Sequence, residues 1–167
     1  MRDSIQLHLL RHAHAGDPLR WRGPDDLRPL SDRGRRQAES MGAFLARAGF
    51  SPDVILSSPR VRAMETARLV AASLGREVRV IDQLAGPLNI DILENLLEAA
   101  ADPGSPLLVG HDPDFSDLAA ELAGLAELPL RKGALVRIDL TRPIEPAAGV
   151  IRWLIPPDLL GTGDHSG

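Results

Sequence analysis

Short apolar segments alternate with longer amphipathic segments along most of this chain, and this alternation constrains its fold more than any other feature. Six apolar segments predict short buried β-strands: residues 5–10, 53–57, 77–81, 106–110, 134–140 and 149–155. Four other segments repeat apolar residues at helical spacing: residues 31–48, 59–74, 89–101 and 113–125. Strands that alternate with helices predict an α/β fold with a mainly parallel sheet.

The end of the chain departs from this alternation. The last two apolar segments are separated only by residues 141–148, which favours an antiparallel pair at one edge of the sheet. Residues 158–167 are rich in glycine, aspartate and serine. We therefore predict one domain over residues 1–157 and a flexible tail over residues 158–167.

The composition excludes several classes of protein. The chain has no cysteine, which rules out disulfides, thiol catalysis and thiolate metal sites. Its formal net charge of -4 gives no basic field for nucleic acid, and among its 19 basic residues only Lys132 is a lysine. There is no apolar run near ~20 residues and no apolar signal-peptide core at the start of the chain. We expect a cytoplasmic protein with neither nucleic-acid nor membrane partners.

Basic side chains follow three of the predicted strands. In parallel α/β sheets, ligand sites lie beyond the carboxyl ends of the strands. The first strand is followed by Arg11 and His12, the second by a segment that contains Arg62, and the fourth by His111. We expect these four side chains to meet at one edge of the sheet.

Two predicted helix starts lie at the same edge. Ser58 followed by Pro59 predicts a helix N-terminus, and Asp112 followed by Pro113 repeats that arrangement. The free N–H groups and the positive end of each helix favour an anion there. Arg62, in the first turn of its predicted helix, is close enough to reach the same anion. These features indicate a phosphate site.

The two histidines add reactivity to this predicted site. A neutral imidazole can attack phosphorus and leave a phosphohistidine that water then cleaves. Phosphoryl transfer depends mainly on positioning and charge stabilisation, which arginine forks and a second imidazole provide without a metal ion or other cofactor. On the residues alone, either His12 or His111 is a candidate nucleophile.

Several motifs resemble the histidine phosphatase superfamily. They are Leu10-Arg11-His12, Ser57-Ser58-Pro59 with Arg62-Ala63-Met64-Glu65-Thr66-Ala67, Val109-Gly110-His111, and Arg28-Pro29-Leu30-Ser31-Asp32-Arg33-Gly34 with Gln37-Ala38. The small size and the Gly110–Asp114 stretch are most similar to the SixA-type phosphohistidine phosphatases. The resemblance extends from about Leu7 to Leu140. It implies a phosphoglycerate mutase-like fold, which is a three-layer α/β/α sandwich.

The resemblance also implies roles for individual residues. His12 would be the nucleophile, and Arg11, Arg62 and His111 would bind the phosphoryl oxygens, with no metal ion and a phosphorylated partner, such as a phosphohistidine-bearing protein, as substrate. His14 is a further candidate phosphate contact. This sequence departs from the family at Ala13, where a glycine is common.

The second departure concerns the proton donor. Larger members of the family carry a carboxylate after the third strand, whereas residues 82–87 here contain only one acid, Asp82, in a different place. Asp17, Asp25 and Asp26 are the candidate proton donors that the sequence offers instead.

The loop that holds these aspartates, residues 16–29, is longer than most connections and lies at the predicted site edge. It also carries Trp21, with Arg20 and Arg22 beside it. We consider Trp21, Arg22 and Arg60 candidates for substrate recognition; a plain surface connection is the alternative.

Other functions compete with a phosphohistidine phosphatase. A metal-dependent hydrolase would use His12 and His14 as ligands, but it is disfavoured because only His111 and scattered aspartates could complete the site and two arginines lie beside it. A non-catalytic module that binds phosphoproteins would use the same pocket. Phosphatases of small metabolites, and phosphoglycerate mutases, also fit the family.

Overall fold

The computed structural model describes residues 2–161. Its strands and helices are β1 (Ser4–Arg11), α1 (Asp32–Arg47), β2 (Val54–Ser57), α2 (Val61–Leu74), β3 (Val78–Val80), α3 (Ile90–Ala99), β4 (Pro106–Gly110), α4 (Asp114–Ala123), β5 (Leu135–Thr141) and β6 (Val150–Ile155). Short 3-10 helices cover Asp25–Leu27, Asp82–Ala85 and Pro157–Leu160. Every predicted strand and helix is present, and the ends differ by no more than two residues.

The six strands form one sheet in the order β3-β2-β4-β1-β5-β6. Strands β1 to β4 pair in parallel, whereas β5 is antiparallel to both β1 and β6. The predicted parallel sheet with an antiparallel edge pair is therefore confirmed. β1 and β4 lie at its centre.

Alternate side chains of the central strands enter two different apolar layers. Leu9 and Leu108 belong to the layer that contains residues of α3 and α4. Leu10 and Leu107 belong to the layer that contains residues of α1 and α2. Because a strand directs successive side chains to opposite faces, one buried strand supplies both layers. The result is the predicted three-layer α/β/α sandwich.

The two edge strands are less buried than the sequence predicts. Val80 in β3 is 46% exposed, and Val150 in β6 is 50% exposed. Their apolar composition suggested buried strands, but an edge strand has a neighbour on one side only. The prediction of a buried strand is wrong at these two positions.

The chain after β6 packs onto α1 for as far as the structure describes it. Leu160 lies against the apolar layer of α1 and α2, and Ser40 Oγ donates a hydrogen bond to the Gly161 carbonyl at 3.1 Å. Residues 162–167 of the predicted tail lie outside the described residues, so the domain boundary stays a prediction. Within residues 2–161, every helix is too short or too polar to cross a lipid bilayer.

Candidate active site

The carboxyl ends of β1, β2 and β4 lie side by side, as the sequence predicts. Arg11 is the register partner of Gly110, and Ser57 is the partner of Val109. The hydrogen bonds continue past the strands, because His12 N donates to the Gly110 carbonyl at 2.9 Å and Ser58 N donates to the Val109 carbonyl at 3.0 Å. The residues that follow these three adjacent strands therefore lie side by side, and they are His12, Ser58 and His111.

His12 is 5% exposed and has one ring nitrogen engaged by the backbone. Its Nδ1 lies 2.7 Å from the Ala13 carbonyl oxygen. A carbonyl can only accept, so we assign the ring hydrogen to Nδ1, which leaves the Nε2 lone pair free. Burial, with the charges of Arg62 and Arg11, lowers the pKa of His12 to about 3. His12 is a neutral imidazole with Nε2 available for attack.

His111 lies against His12, with a centroid separation of 5.3 Å between the two rings. His111 Nε2 is 2.7 Å from Ser58 Oγ, and Nδ1 is buried with no hydrogen-bond partner among residues 2–161. Burial, with the charges of His12 and Arg62, lowers the pKa of His111 to about 3. Ser58 Oγ also accepts the Arg60 N–H at 3.3 Å, so we assign the serine hydrogen to His111 Nε2 and the ring hydrogen to Nδ1. Nδ1–H is then a buried donor without an acceptor.

The two arginines of the predicted site are held by groups outside the strands. Arg11 Nη1 donates to the Leu130 carbonyl at 2.7 Å and lies 3.3 Å from Asp112 Oδ2. Arg62 has a 5% exposed side chain and donates to the Asp25 carbonyl at 2.8 Å and to Asp25 Oδ2 at 3.0 Å. The Nε atoms of both arginines are buried and have no hydrogen-bond partner in the part of the chain that the structure describes.

Unsatisfied donors are concentrated on these residues. Within residues 2–161, five buried side-chain nitrogens lack a hydrogen-bond partner, and three of them are Arg11 Nε, Arg62 Nε and His111 Nδ1. A buried donor without an acceptor costs free energy, so such groups call for a ligand or water. An anion with several oxygens is the ligand that suits three N–H donors.

Thr66 links the segment after β1 to α2. Its Oγ1 accepts the Ala13 N–H at 3.1 Å and donates to the Arg62 carbonyl at 2.7 Å. Ala13 is fully buried in this contact, which accounts for a small residue at that position. The hydroxyl thus fixes the residue after His12 relative to the helix that carries Arg62.

The predicted helix start at Ser58 is wrong. Helix α2 begins at Val61, with Arg60 as its N-cap residue, because the Ser58 hydroxyl is engaged with His111 and the Arg60 N–H. At the second predicted start, α4 begins at Asp114, and Asp112 accepts from Ser116 N at 3.2 Å. The N-cap residue of α4 is Pro113, so the predicted start at Asp112 is wrong by one residue, although the Asp112 carboxylate still contacts the first turn of the helix.

The three aspartates that the sequence offers as proton donors are all paired with arginines. Asp25 bonds Arg28 and Arg62, and these contacts hold the pKa of its carboxyl below the usual value. Asp26 lies 3.0 Å from Arg60, and Asp17 lies 3.7 Å from Arg20. A carboxyl that is stabilised as an anion is a poor acid at neutral pH, which argues against Asp25 in particular.

The loop between β1 and α1 presents apolar side chains to solvent. Trp21 is 39% exposed, donates from Nε1 to the Pro24 carbonyl at 2.9 Å, and lines a cavity of about 260 Å³. Leu19 and Leu27 in the same loop are 93% and 56% exposed, and Arg22 is exposed. The Arg62–Asp25 contact attaches this loop to the site.

His14 and Arg60 are engaged by different segments of the chain. His14 Nδ1 is 2.6 Å from Ser31 Oγ, the N-cap side chain of α1, while Arg60 Nη2 donates to the Ala85 carbonyl at 3.2 Å. Phosphate contact by His14 and substrate recognition by Trp21, Arg22 and Arg60 stay predictions.

Three residues near the site have contacts that sequence reasoning did not anticipate. Arg28 is 8% exposed and donates hydrogen bonds to the Ala15 carbonyl and to Asp25. Ser58 contacts the ring of His111. Lys132 lies close enough to His12 to influence its pKa. Arg28 and Ser58 both lie within the family motifs. The sequence assigned no role to Arg28 and only a helix start to Ser58. For Lys132 the only signal was that it is the single lysine.

Within residues 2–161 there is no cluster of three or more metal-ligating side chains.

Comparison with known proteins identifies the family. Residues 7–99 match the model of the histidine phosphatase superfamily, branch 1, and this stretch includes His12 and Arg62. An uncharacterized protein of Picosynechococcus sp. is 32% identical over 122 residues, which is 71% of this chain and 73% of that protein. The chain belongs to the histidine phosphatase superfamily.

Two further comparisons add to this assignment. The protein histidine phosphatase SixA complexed with tungstate has the same fold, with a TM-score of 0.81 and 23% identity over 94% of this chain and 100% of that one. An 8-oxo-(d)GTP phosphatase of Mycolicibacterium smegmatis is 31% identical over 64% of this chain, which spans only 34% of that larger protein.

Proposed function

We propose that this protein is a metal-independent phosphatase that carries a phosphoryl group transiently on His12. One observation carries the proposal. A buried, neutral His12 with its Nδ1 held by the Ala13 carbonyl lies beside Arg11, Arg62 and His111, each of which has an unsatisfied buried N–H. The neutral imidazole supplies the nucleophile, and the donors supply the charge stabilisation that phosphoryl transfer needs.

The reaction has two steps. In the first, the His12 Nε2 lone pair forms a bond to phosphorus, while the bond to the leaving group breaks and that group departs with the electron pair. Arg11, Arg62 and His111 donate hydrogen bonds to the phosphoryl oxygens as negative charge spreads over them. In the second, water attacks phosphorus, the N–P bond breaks with its electrons returning to Nε2, and phosphate is released.

We favour a protein phosphohistidine, or another phosphate with a good leaving group, as the substrate. Imidazole has a conjugate-acid pKa of ~6.5 and can leave neutral near physiological pH without a carboxylic acid beside it. The pairing of Asp17, Asp25 and Asp26 with arginines supports this preference. The exposed Leu19, Trp21 and Leu27 next to the site suit contact with another protein. The fold shared with SixA is consistent with this substrate class.

A single-turnover experiment tests the proposal. The protein is mixed with a ³²P-labelled phosphohistidine-bearing protein in the presence of a chelator and quenched in alkali. We expect an acid-labile, alkali-stable label on His12, and the variant His12→Ala should carry none. A label on His111 would reverse the assignment of the nucleophile. Activity that disappears with chelator and returns with a divalent ion would refute the metal-independent mechanism.

A phosphatase of small metabolites is the second candidate, and the relative that acts on 8-oxo-(d)GTP favours it. The two candidates differ in kcat/KM for three substrates: a phosphohistidine-bearing protein, an aryl phosphate and an alkyl phosphate such as phosphoglycerate. We expect the alkyl phosphate to be the poorest, because a positioned acid contributes ~10²–10⁴-fold for an alkoxide leaving group. Alkyl phosphate turnover that matches the other two would favour the metabolite phosphatase. Tight binding of phosphoprotein without any turnover would instead favour the non-catalytic module.

A further inference from the structure

Lys132 is held next to the proposed nucleophile by the backbone. It lies in the turn that precedes β5, and the following residue, Gly133, donates its N–H to the carbonyls of Arg11 at 3.1 Å and His12 at 3.0 Å. Arg11 N in turn donates to the Ala134 carbonyl at 3.1 Å. Gly133 has a φ of +80°, which favours glycine at this point of close approach. The turn that carries Lys132 is therefore attached directly to the Arg11-His12 pair.

The charge of Lys132 has no counterion among residues 2–161. The side chain is partly buried, and no carboxylate or hydrogen-bond acceptor of the described chain contacts its ammonium group. The nearby acids are already engaged, since Asp112 pairs with Arg11 and Asp25 pairs with Arg62. Lys132 is thus an unpaired cation beside two arginines.

This arrangement is unfavourable in the free protein. Partial burial and then the charges of Arg11, Arg28 and Arg62 lower the pKa of Lys132, which means that its surroundings disfavour the ammonium form. The charge of Lys132 also lowers the pKa of His12. Like charges that gather without a counterion are relieved when an anion enters between them.

We propose that Lys132 binds the phosphoryl group during transfer, as a third cationic contact beside Arg11 and Arg62. The inference rests on the proposed function, because it assigns a further residue to the same site. The transferring group has three oxygens over which charge spreads, and a lysine ammonium contributes a point charge to one of them. The matching control is Arg131, which lies in the same turn but pairs with Asp158 and has a 75% exposed side chain.

The test compares wild type with Lys132→Met, Lys132→Arg and Arg131→Met. Three quantities are measured: kcat/KM for an aryl phosphate, the affinity for tungstate as a phosphate analogue, and Tm without any anion. We expect Lys132→Met to lose ~10²-fold in kcat/KM and to bind tungstate more weakly, with a Tm equal to or above that of wild type. Lys132→Arg should recover most of the tungstate affinity, and Arg131→Met should behave as wild type.

Other results would overturn the inference. A lower Tm for Lys132→Met together with unchanged kcat/KM would make Lys132 a structural residue. Loss confined to an alkyl phosphate in both Lys132 variants, with dinitrophenyl phosphate spared, would make it a proton donor. If the single-turnover experiment leaves no label on His12 of the wild-type protein, both the proposed function and this inference are refuted. A labelled wild type with a fully active Lys132→Met refutes the inference alone.

Discussion

Asp25 engages both terminal nitrogens of the Arg62 guanidinium, one through its carboxylate and one through its backbone carbonyl. Arg62 Nη2 donates to Asp25 Oδ2 at 3.0 Å, and Nη1 donates to the carbonyl of the same residue at 2.8 Å. Two N–H groups of Arg62, a residue to which the proposed mechanism assigns phosphate binding, are therefore occupied by an acidic residue from the loop. Asp25 resembles the expected ligand in charge and in its oxygen atoms, so it competes for Arg62 with any phosphate that binds.

Asp25→Asn should therefore bind a phosphate analogue more tightly than wild type. The Asp25 side chain is 56% exposed, and an exposed ion pair contributes ~1 kcal/mol at most, so we expect up to about a fivefold gain in tungstate affinity. Turnover of an aryl phosphate should be retained. Titration with tungstate measures the first quantity. Asp26→Asn is the control, because Asp26 pairs with Arg60 instead. A loss above ~10²-fold confined to alkyl phosphates would identify Asp25 as the proton donor after all.

Ser58→Ala should impair the site through the orientation of His111. The variant removes the 2.7 Å contact to His111 Nε2, and the loss of one hydrogen bond of ~1.4 kcal/mol corresponds to ~10-fold in kcat. Nitrogen NMR of the His111 ring should show a change of tautomer, which a merely structural defect would not produce. Ser57→Ala is the control, because Ser57 has the same size and burial as Ser58 and, within residues 2–161, its Oγ bonds only the Ser58 carbonyl. Equal effects of the two changes would argue against an orienting role.

Stability should fall as the pH is lowered from about 6.5 towards about 4. His8, His12 and His111 have pKa values lowered by burial to about 4, 3 and 3, whereas an unfolded histidine titrates near ~6.5. The unfolded chain then binds more protons than the folded one, so each of these histidines removes up to ~1.4 kcal/mol per pH unit in this interval. Urea unfolding in phosphate-free buffer measures the slope. The double variant His12→Asn, His111→Asn should flatten it; an unchanged slope would contradict this account.

Trp21→Ala should weaken turnover of a phosphoprotein while sparing a small aryl phosphate. An exposed aromatic side chain that a partner covers contributes ~1–2 kcal/mol, which corresponds to roughly a tenfold loss in kcat/KM. Leu159→Ala serves as the control, since Leu159 is 77% exposed and lies outside the loop. Losses of similar size on both substrates, or on neither, would return residues 16–29 to a plain surface connection.

The sequence was most informative where the backbone alone places a residue. Strands β1, β2 and β4 are buried on both faces, so they appear as continuous apolar segments, and parallel pairing brings the residues after them together. This reasoning located His12 and His111 side by side. Reasoning from local sequence gave the wrong start for α2. Serine is a favourable N-cap residue, but the Ser58 hydroxyl contacts His111 instead, and the helix begins at Val61.

Contacts between distant side chains had no pattern from which to predict them. Asp25 and Arg62 are 37 positions apart, and Asp25 lies in the connection between β1 and α1. The turn that carries Lys132 is attached to the Arg11-His12 pair because Gly133 N donates to both of their carbonyls, and neither residue type nor spacing indicates those hydrogen bonds. The sequence likewise offered Asp25 as an acid, whereas its arginine neighbours stabilise the anion.

His12 is held by backbone atoms on three sides, through the carbonyls of Gly110 and Ala13 and the N–H of Gly133. Such contacts survive the exchange of neighbouring side chains, except where glycine is needed: a Cβ on Gly110 would come within 2.6 Å of the Phe115 ring. The loop of residues 16–29 has the opposite character, because its exposed side chains contribute little to the core. A directed-evolution library that randomises residues 17–23 should therefore leave the backbone around His12 unchanged from one variant to the next, whatever those residues contribute to substrate preference.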